Sequence, residues 1–167
     1  EMRGWDKPGF DDAHWQSVDV FPAPDVRLVP LRTEPVRITQ ILKPKKVSEP
    51  VKGTFVFDFG QNIAGFCQLK IRGQAGTKVA MRHAEMLTPA GKIYTTNLRR
   101  AKATDTYVLQ GGREEVFQPH FTFHGFRYVE VTGLSVKPRR DAILACAINT
   151  DLLVTGTFAC SDTMVNQ

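Results

Sequence analysis

The sequence predicts an all-β protein folded as an antiparallel β-sandwich. Apolar residues alternate in short runs typical of strands, glycines and prolines recur between these runs, and no convincing amphipathic helix separates them. Runs spaced about 8–12 residues apart are typical of sandwiches. The chain has 167 residues, 42% of them hydrophobic and 23% charged. A chain of this length buries roughly 70% of its unfolded surface and needs no disulfide or metal to fold.

The first 25 residues are expected to be the end of a preceding domain followed by a linker. They contain both tryptophans of the chain, Trp5 and Trp15. The run from Phe21 to Asp25 has two prolines in three positions, which indicates a linker. We therefore predict the β-sandwich over residues 26–156 and the start of a connection to a further domain over residues 157–167.

The strands of the sandwich are predicted from alternation. Residues 36–42 alternate as one strand, and Phe55, Phe57 and Phe59 share one face of the next. The run after it places four apolar residues on one face, which are Ile63, Cys67, Leu69 and Ile71.

The later strands follow from the same pattern. Val79 and Met81 align on one face of a run that ends near residue 85. Gly111 and Gly112 separate two strand-like runs and predict a hairpin. Further strands are expected over residues 126–132 and 142–149; the second is apolar on both faces, which is typical of a central strand.

The C-terminal tail is the one segment where a helix is predicted. Ser161 can cap a helix over residues 162–167, and Asp162 would place an acidic group in its first turn. We interpret this helix as the entry into a further domain.

The three cysteines are expected to be free thiols. Cys67, Cys146 and Cys160 are widely spaced and form no CxxC motif. Cys67 and Cys146 lie in apolar, strand-like runs, where a buried thiol is the usual state.

The formal net charge of +5 and a pI near 9.3 raise the question of nucleic-acid binding. The basic residues form short clusters, some interrupted by proline, and no helix collects them into one stripe. No apolar run approaches the ~18 residues of a membrane span. Neither nucleic acid nor a membrane is therefore expected as a partner.

Two histidines could suggest a metal site. His120 and His124 would point to the same face of a strand, as two zinc ligands do, but no third ligand lies nearby in the sequence. Phe121 and Phe123 on the opposite face are explained by a core strand. We expect no metal site and no cofactor.

Candidate catalytic carboxylates are present, but the sequence does not indicate which two of them would act together. Hydrolysis of a glycosidic bond uses two carboxylates roughly 5–10 Å apart. Asp58, Glu85, Asp105 and Glu130 are candidates by type, yet the sequence pairs no two of them. Asp105 is expected to anchor a turn or to pair with an arginine. No catalytic residue is predicted.

Five sequence blocks follow one another between residues 57 and 133. They are residues 58–65 (DFGQNIAG), 72–77 (RGQAGT), 82–87 (RHAEML), 103–107 (ATDTY) and 121–129 (FTFHGFRYV). In this order the blocks resemble the bacterial α-L-rhamnosidases of glycoside hydrolase family 78. The two ends also resemble the close of a preceding jelly-roll domain and the entry into the catalytic domain of these enzymes.

The resemblance implies a multidomain enzyme that removes terminal α-L-rhamnose with inversion, using carboxylates in a six-hairpin α/α barrel outside this region. This chain is then expected to be a non-catalytic β-sandwich of concanavalin-like or jelly-roll type, inactive alone. Its expected partner is the barrel of the same polypeptide, and an uncovered docking face would let the chain self-associate. The alternative is a carbohydrate-binding module that recognises rhamnose-containing glycans.

Four residues in these blocks are candidate substrate-binding residues: Asp58, Gln61, Asn62 and Arg127. They also have a structural interpretation. Gln61 and Asn62 can satisfy backbone groups of a bend, and Arg127 could pair with Asp58 or Asp105 and hold two strands in register.

Overall fold

The computed structural model describes residues 4–166, so Gln167, the last residue of the predicted C-terminal helix, lies outside the described residues. The chain divides into two compact units, residues 1–32 and 33–167. In the first unit, residues 4–32 form turns and irregular structure. Phe10 and Trp15 pack with ring centroids 5.6 Å apart.

In the second unit the regular secondary structure is almost all strand, with two short 3-10 turns at Thr96–Leu98 and Arg140–Ala142. The all-β prediction is therefore confirmed. The strands are β1 (Val36–Leu42), β2 (Lys46–Val51), β3 (Thr54–Arg72), β4 (Lys78–Ala84), β5 (Met86–Leu87), β6 (Ile93–Tyr94), β7 (Thr104–Val108), β8 (Glu114–Phe117), β9 (His124–Thr132) and β10 (Ile143–Thr150).

Eight of the strands form one antiparallel sheet around β3. The main order is β1-β10-β3-β9-β4-β7, and β2 and β8 also pair with β3. β5 and β6 form a separate small sheet. Because β3 has 19 residues, its two halves can pair with different neighbours. β10 lies between β1 and β3, so the expectation of a strand inside the sheet is confirmed.

A bulge bends the sheet at the middle of β3. Asp58 pairs with Tyr128, but the next pair is Ile63 with Phe126, so β3 advances further than β9 between the two pairs. Extra residues on one strand bend and twist an antiparallel pair. Gly60 lies in this bulge with φ of 84°, a conformation that glycine adopts without strain. The bend lets a single sheet curl around its own apolar face.

The predicted inward face of β3 forms the core. Phe57 and Phe59 are at most 1% exposed, and Cys67 is fully buried. Each large apolar side chain buried in this way contributes about 1.5–3 kcal/mol. Val56 points to the other face, where it joins a second small cluster with Ala84 and Ile93. The first half of β3 is therefore covered on both faces.

The predicted hairpin at Gly111 and Gly112 is wrong. The strands on either side exist, but β7 pairs with β4 while β8 pairs with β3. The backbone N–H groups of Gln110 and Gly111 are instead bound by the carboxylate of Glu115, at 3.0 and 2.9 Å. Gly111 and Gly112 therefore lie in a loop that connects β7, which pairs with β4, to β8, which pairs with β3.

Two further local predictions are corrected. Phe121 and Phe123 are not core residues, because β9 begins only at His124 and their side chains are exposed. The tail forms turns over residues 163–166 where a helix was expected. There the Asn166 side chain bonds to the backbone of Cys160, which stabilises a local loop.

The three cysteines are free, as predicted; Cys67 and Cys146 are buried and Cys160 is exposed. Burial raises the pKa of the Cys67 and Cys146 thiols, which keeps them protonated and unreactive. Over residues 4–166, no helix combines the length and apolar character that crossing a bilayer requires.

Candidate functional site

The four candidate substrate-binding residues come together at the bend of the sheet. Asp58 immediately precedes the bulge, Gln61 and Asn62 lie within it, and Arg127 lies on β9 beside the residue that pairs with Asp58. We call this group the β3–β9 corner. The sequence therefore identified residues that share one place in the fold.

The inner half of the corner is an ion pair. Arg127 donates from Nε to Asp58 Oδ1 at 2.8 Å and from Nη2 to Asp58 Oδ2 at 3.1 Å. Asp58 Oδ1 also accepts from the backbone N–H of Gly60 at 2.7 Å. The hydrogen bond from Arg127 lowers the pKa of Asp58 below its ordinary value. The pairing of Arg127 with Asp58, one of the two expected, is confirmed. The Asp58 carboxylate is also the group that accepts a backbone N–H of the bend.

The outer half of the corner consists of exposed amides. Gln61 Nε2 donates to Gln40 Oε1 at 3.4 Å, and Asn62 Nδ2 donates to Glu85 Oε1 at 3.0 Å. The other oxygen of Glu85 accepts from Asn97 Nδ2 at 3.2 Å. The expectation that Gln61 and Asn62 bind backbone groups of the bend is wrong, since each donates to another side chain.

Gly65 ends the same sequence block and has a separate role. It lies where β3 passes β10 so closely that an added Cβ would collide with the carbonyl oxygen of Cys146. Only a residue without a side chain fits where β3 and β10 pass here. Gly60, earlier in the block, has a positive φ of 84°, which glycine adopts without strain.

A second polar cluster, formed by His83, Asp105 and His124, was not predicted from sequence. The three residues come from β4, β7 and the first position of β9. Both carboxylate oxygens of Asp105 lie 3.1 Å from His124 Nε2, and Oδ2 lies 3.9 Å from His83 Nε2. The two imidazoles stack with centroids 4.2 Å apart. We call this group the histidine cluster.

His83 is the buried member of the histidine cluster. Its side chain is 0% exposed, and its Nδ1 lies 3.1 Å from the carbonyl oxygen of Ala103. Its Nε2 is buried and has no hydrogen-bond partner among the described residues. Burial, together with the nearby His124, lowers the pKa of His83 to about 4, so the ring is neutral at physiological pH. Ala103 has φ of 43°, an uncommon conformation for a residue with a side chain.

The expectation that Asp105 anchors a turn or pairs with an arginine was wrong, because Asp105 lies on β7 and contacts two histidines. His124 stacks on His83, whereas His120 is exposed. The alternation did contain a signal, because His83 has the same parity as the buried Met81 on β4. A histidine on an inward face is a candidate for a specific polar role.

Besides His83, Glu115 is a second buried polar residue. It is 6% exposed, and Tyr107 Oη donates to its Oε2 at 2.7 Å. With the two backbone donors of Gln110 and Gly111, the carboxylate accepts three hydrogen bonds. These bonds, led by the one from Gln110, lower the pKa of Glu115. They give Glu115 a structural function, holding the loop between β7 and β8.

A cavity of about 830 Å³ opens near the start of β10 and the loop that follows β9. Both carboxylates that line it are in ion pairs, Glu114 with Lys70 at 3.3 Å and Asp141 with Arg139 at 2.7 Å. No residue of the β3–β9 corner or of the histidine cluster lines it. The cavity therefore adds no free carboxylate to either group.

Comparison with known proteins gives consistent matches. Residues 48–149 match the family described as the bacterial alpha-L-rhamnosidase concanavalin-like domain. The alpha-L-rhamnosidase of Streptomyces avermitilis is 47% identical over 172 residues, covering 100% of this chain and 16% of that protein. The alpha-L-rhamnosidase of Alteromonas sp. strain LOR is 35% identical over 170 residues, covering 100% and 18%. The chain thus spans less than a fifth of the length of these curated relatives.

Solved structures agree with the fold. The crystal structure of the Streptomyces avermitilis alpha-L-rhamnosidase complexed with L-rhamnose matches with a TM-score of 0.87 and 48% identity, over 99% of this chain and 16% of that chain. The alpha-L-rhamnosidase from Dictyoglumus thermophilum matches with a TM-score of 0.89 and 37% identity, over 99% and 19%. The predicted concanavalin-like architecture is confirmed.

Proposed function

Because this chain belongs to the bacterial alpha-L-rhamnosidase concanavalin-like domain family, we propose that it is an accessory, non-catalytic β-sandwich of a longer α-L-rhamnosidase. The parent enzyme would hydrolyse terminal α-L-rhamnose from glycosides with carboxylates in another domain. One observation carries the proposal: the match covers 100% of this chain but only 16% of the Streptomyces relative. The chain therefore corresponds to one region of a much larger protein.

The use of the carboxylates supports a non-catalytic role. A general acid and its partner must be free to reach the scissile bond. Asp58 is held by Arg127, Asp105 by His124 and Glu115 by Tyr107. Each of these carboxylates is already bound within the fold, which favours a structural function for all three.

Exposed apolar side chains support a docking role. β1 is the first strand in the sheet order, and its Val36, Ile38 and Ile41 are 62%, 44% and 60% exposed. An apolar sheet edge is normally covered by another element or domain. We propose that the covering partner is the rest of the same polypeptide, including the α/α barrel. The flanking segments, residues 1–25 and 157–167, are proposed to lead to the neighbouring domains.

The activity proposal is tested with an aryl α-L-rhamnoside. The purified chain should give no hydrolysis above the buffer rate, while the Streptomyces relative, assayed in parallel, serves as the positive control. Turnover that co-purifies with the chain and disappears in the Glu85→Gln variant would contradict a non-catalytic role. Glu85 is a suitable test because it is exposed at the corner.

The docking proposal is tested by light scattering over a range of concentrations. The isolated chain should self-associate through its uncovered apolar edge. Ile38→Ser and Ile41→Ser should reduce this association, whereas the matched control Gln40→Ser on the same strand should not. A chain that stays monomeric at every concentration would favour an independent module.

The carbohydrate-binding alternative depends on the β3–β9 corner. Sugar recognition needs polar groups that are free to bind hydroxyls, and Asp58 and Arg127 largely satisfy each other. Gln61 and Asn62 are the exposed members of the corner, so we propose them as the sugar contacts of this alternative. Titration with L-rhamnose should then shift their side-chain amide resonances in NMR spectra, and L-fucose at equal concentration should not.

A further inference from the structure

The histidine cluster has a geometry that the proposed function does not use. One ligand-capable atom from each of His83, Asp105 and His124 lies within 4.8 Å of the other two. We propose that these three residues bind a divalent transition metal of the Zn²⁺ type. Two imidazoles and one carboxylate are a ligand set that zinc accepts in tetrahedral sites with one further position.

The distances are close to those of a formed site. Zinc bonds of about 2.0–2.1 Å at tetrahedral angles place ligand atoms roughly 3.3 Å apart. Asp105 lies 3.1 Å from His124 Nε2 and 3.9 Å from His83 Nε2. These values lie on either side of the tetrahedral spacing. All three ligand atoms lie within 4.8 Å of one another, so the widest pair must close by up to about 1.5 Å, shared between two side chains, to reach the tetrahedral spacing.

The state of His83 is an independent indication of a ligand. Its Nε2 is fully buried, has no partner among residues 4–166 and lies on the side of Asp105. Buried polar atoms in folded proteins are normally bonded. Its Nδ1 donates to the carbonyl of Ala103, which leaves the Nε2 lone pair available. A backbone carbonyl on the second nitrogen is the usual way in which a metal-binding histidine is oriented.

The chemistry of the donors selects the kind of metal. Ca²⁺ and Mg²⁺ prefer oxygen ligands, whereas imidazole nitrogens favour Zn²⁺ and similar ions. The side chains of His124 and Asp105 are 13% and 10% exposed, so solvent can reach this side of the cluster. Solvent can therefore supply the remaining ligand. His124 would bind the ion through Nε2 as the neutral imidazole, so its ring proton lies on Nδ1 in the bound state and no net proton is lost from the ring.

A metal here would join three strands that are distant in the chain. His83, Asp105 and His124 belong to β4, β7 and β9, and β7 is the last strand of the main sheet order. An ion that binds only the folded state stabilises it, and the stabilisation grows with the logarithm of the ratio of ion concentration to Kd. The expected consequence is a higher melting temperature in zinc without a change of fold.

The test uses the 167-residue chain, stripped with EDTA, dialysed and titrated with ZnCl₂ alone. Calorimetry should show one Zn²⁺ per chain, and the melting temperature should rise; CaCl₂ should have neither effect. Asp105→Asn and His124→Gln should each weaken zinc binding by about 100-fold or more, since losing even an outer partner of a ligand costs about 10–100-fold. His120→Gln is the matched control, because His120 is exposed and lies outside the cluster.

A second measurement covers variants that fail to fold. Co²⁺ bound to the unmodified chain should give the strong visible absorption of tetrahedral coordination, and one equivalent of Zn²⁺ should abolish it. Absence of zinc binding by the unmodified chain would overturn the proposal. So would binding that persists in folded Asp105→Asn, or that His120→Gln removes, because the ion would then lie elsewhere.

Discussion

Arg127 and Asp58 join β9 to β3 through two parallel hydrogen bonds, Nε to Oδ1 at 2.8 Å and Nη2 to Oδ2 at 3.1 Å. Asp58 is the last residue paired in register before the bulge of β3. The same carboxylate accepts from the backbone of Gly60 inside the bulge. The ion pair therefore fixes both strands at the point where their ladder is interrupted.

Replacing Arg127 with lysine should lower the free energy of unfolding by about 1–2 kcal/mol, because an ammonium group cannot form the two-pronged contact. Urea denaturation measures the change. Arg37→Lys is the matched control, since its pair with Asp151 is exposed at 63% and 55% and should contribute less than about 1 kcal/mol. Equal losses in the two variants would show that the corner pair has no special role.

Gly65→Ala should destabilise the chain by about 2 kcal/mol or more, in the range found for overpacked positions. The added methyl group meets the backbone carbonyl of Cys146, which cannot move without disturbing β10. Gly156→Ala is the control, because nothing lies within 4 Å of its added Cβ. Thermal unfolding followed by circular dichroism should separate the variants, and equal melting temperatures would contradict the close approach.

The stability of the chain should fall in acid partly through Glu115. Its hydrogen bonds, led by the one from the Gln110 backbone, hold its pKa below the ordinary value of 4.5. The folded chain therefore binds this proton less readily than the unfolded chain. The stabilisation that ionised Glu115 gives the folded chain is complete above pH 4.5 and is lost as the pH falls through the lower, folded-state pKa.

Glu115→Gln should accordingly lower the melting temperature at neutral pH and flatten its decline below about pH 4.5. Melting curves recorded from neutral to acidic pH test this. Glu114→Gln, at the neighbouring exposed position, should keep the full acid dependence. An unchanged acid slope in Glu115→Gln would mean that other groups control the transition.

Limited proteolysis should cleave the irregular segments at either end of the chain earlier than it cleaves the strands of the sheet. Residues 151–166 are exposed and contain no helix or strand, and Phe158 is 73% exposed. Chymotrypsin should therefore cleave near Phe158, or within residues 4–32, before it reaches the buried Phe57 in β3. Mass spectrometry of early fragments identifies the sites, and first cleavage inside β3 would contradict the described core.

Local pattern was sufficient to predict much of the core. Alternation placed Phe55, Phe57 and Phe59 on one inward face, and the structure buries all three. It placed Val79 and Met81 together on β4, where both are fully buried. Such predictions succeed because side chains in a strand alternate between faces wherever the strand lies in the sheet.

Local pattern failed where the partner of a strand decided the outcome. The runs around Gly111 and Gly112 are strands, as predicted, but each pairs with a strand from another part of the chain. Phe121 and Phe123 alternate correctly and are nevertheless exposed, because the ladder of β9 starts after them. Pairing depends on contacts between distant residues, which alternation does not encode.

By itself, the sequence determined the all-β class, the inward faces and, through the order of its blocks, the residues of the β3–β9 corner. Only the tertiary structure decided that Arg127 pairs with Asp58 and that Asp105 pairs with His124. It alone brought His83 within 4.8 Å of both members of that second pair. The physical reason is strand pairing: β3 pairs with β9, and β4 lies between β9 and β7. These pairings join residues distant in the chain, which local alternation does not encode.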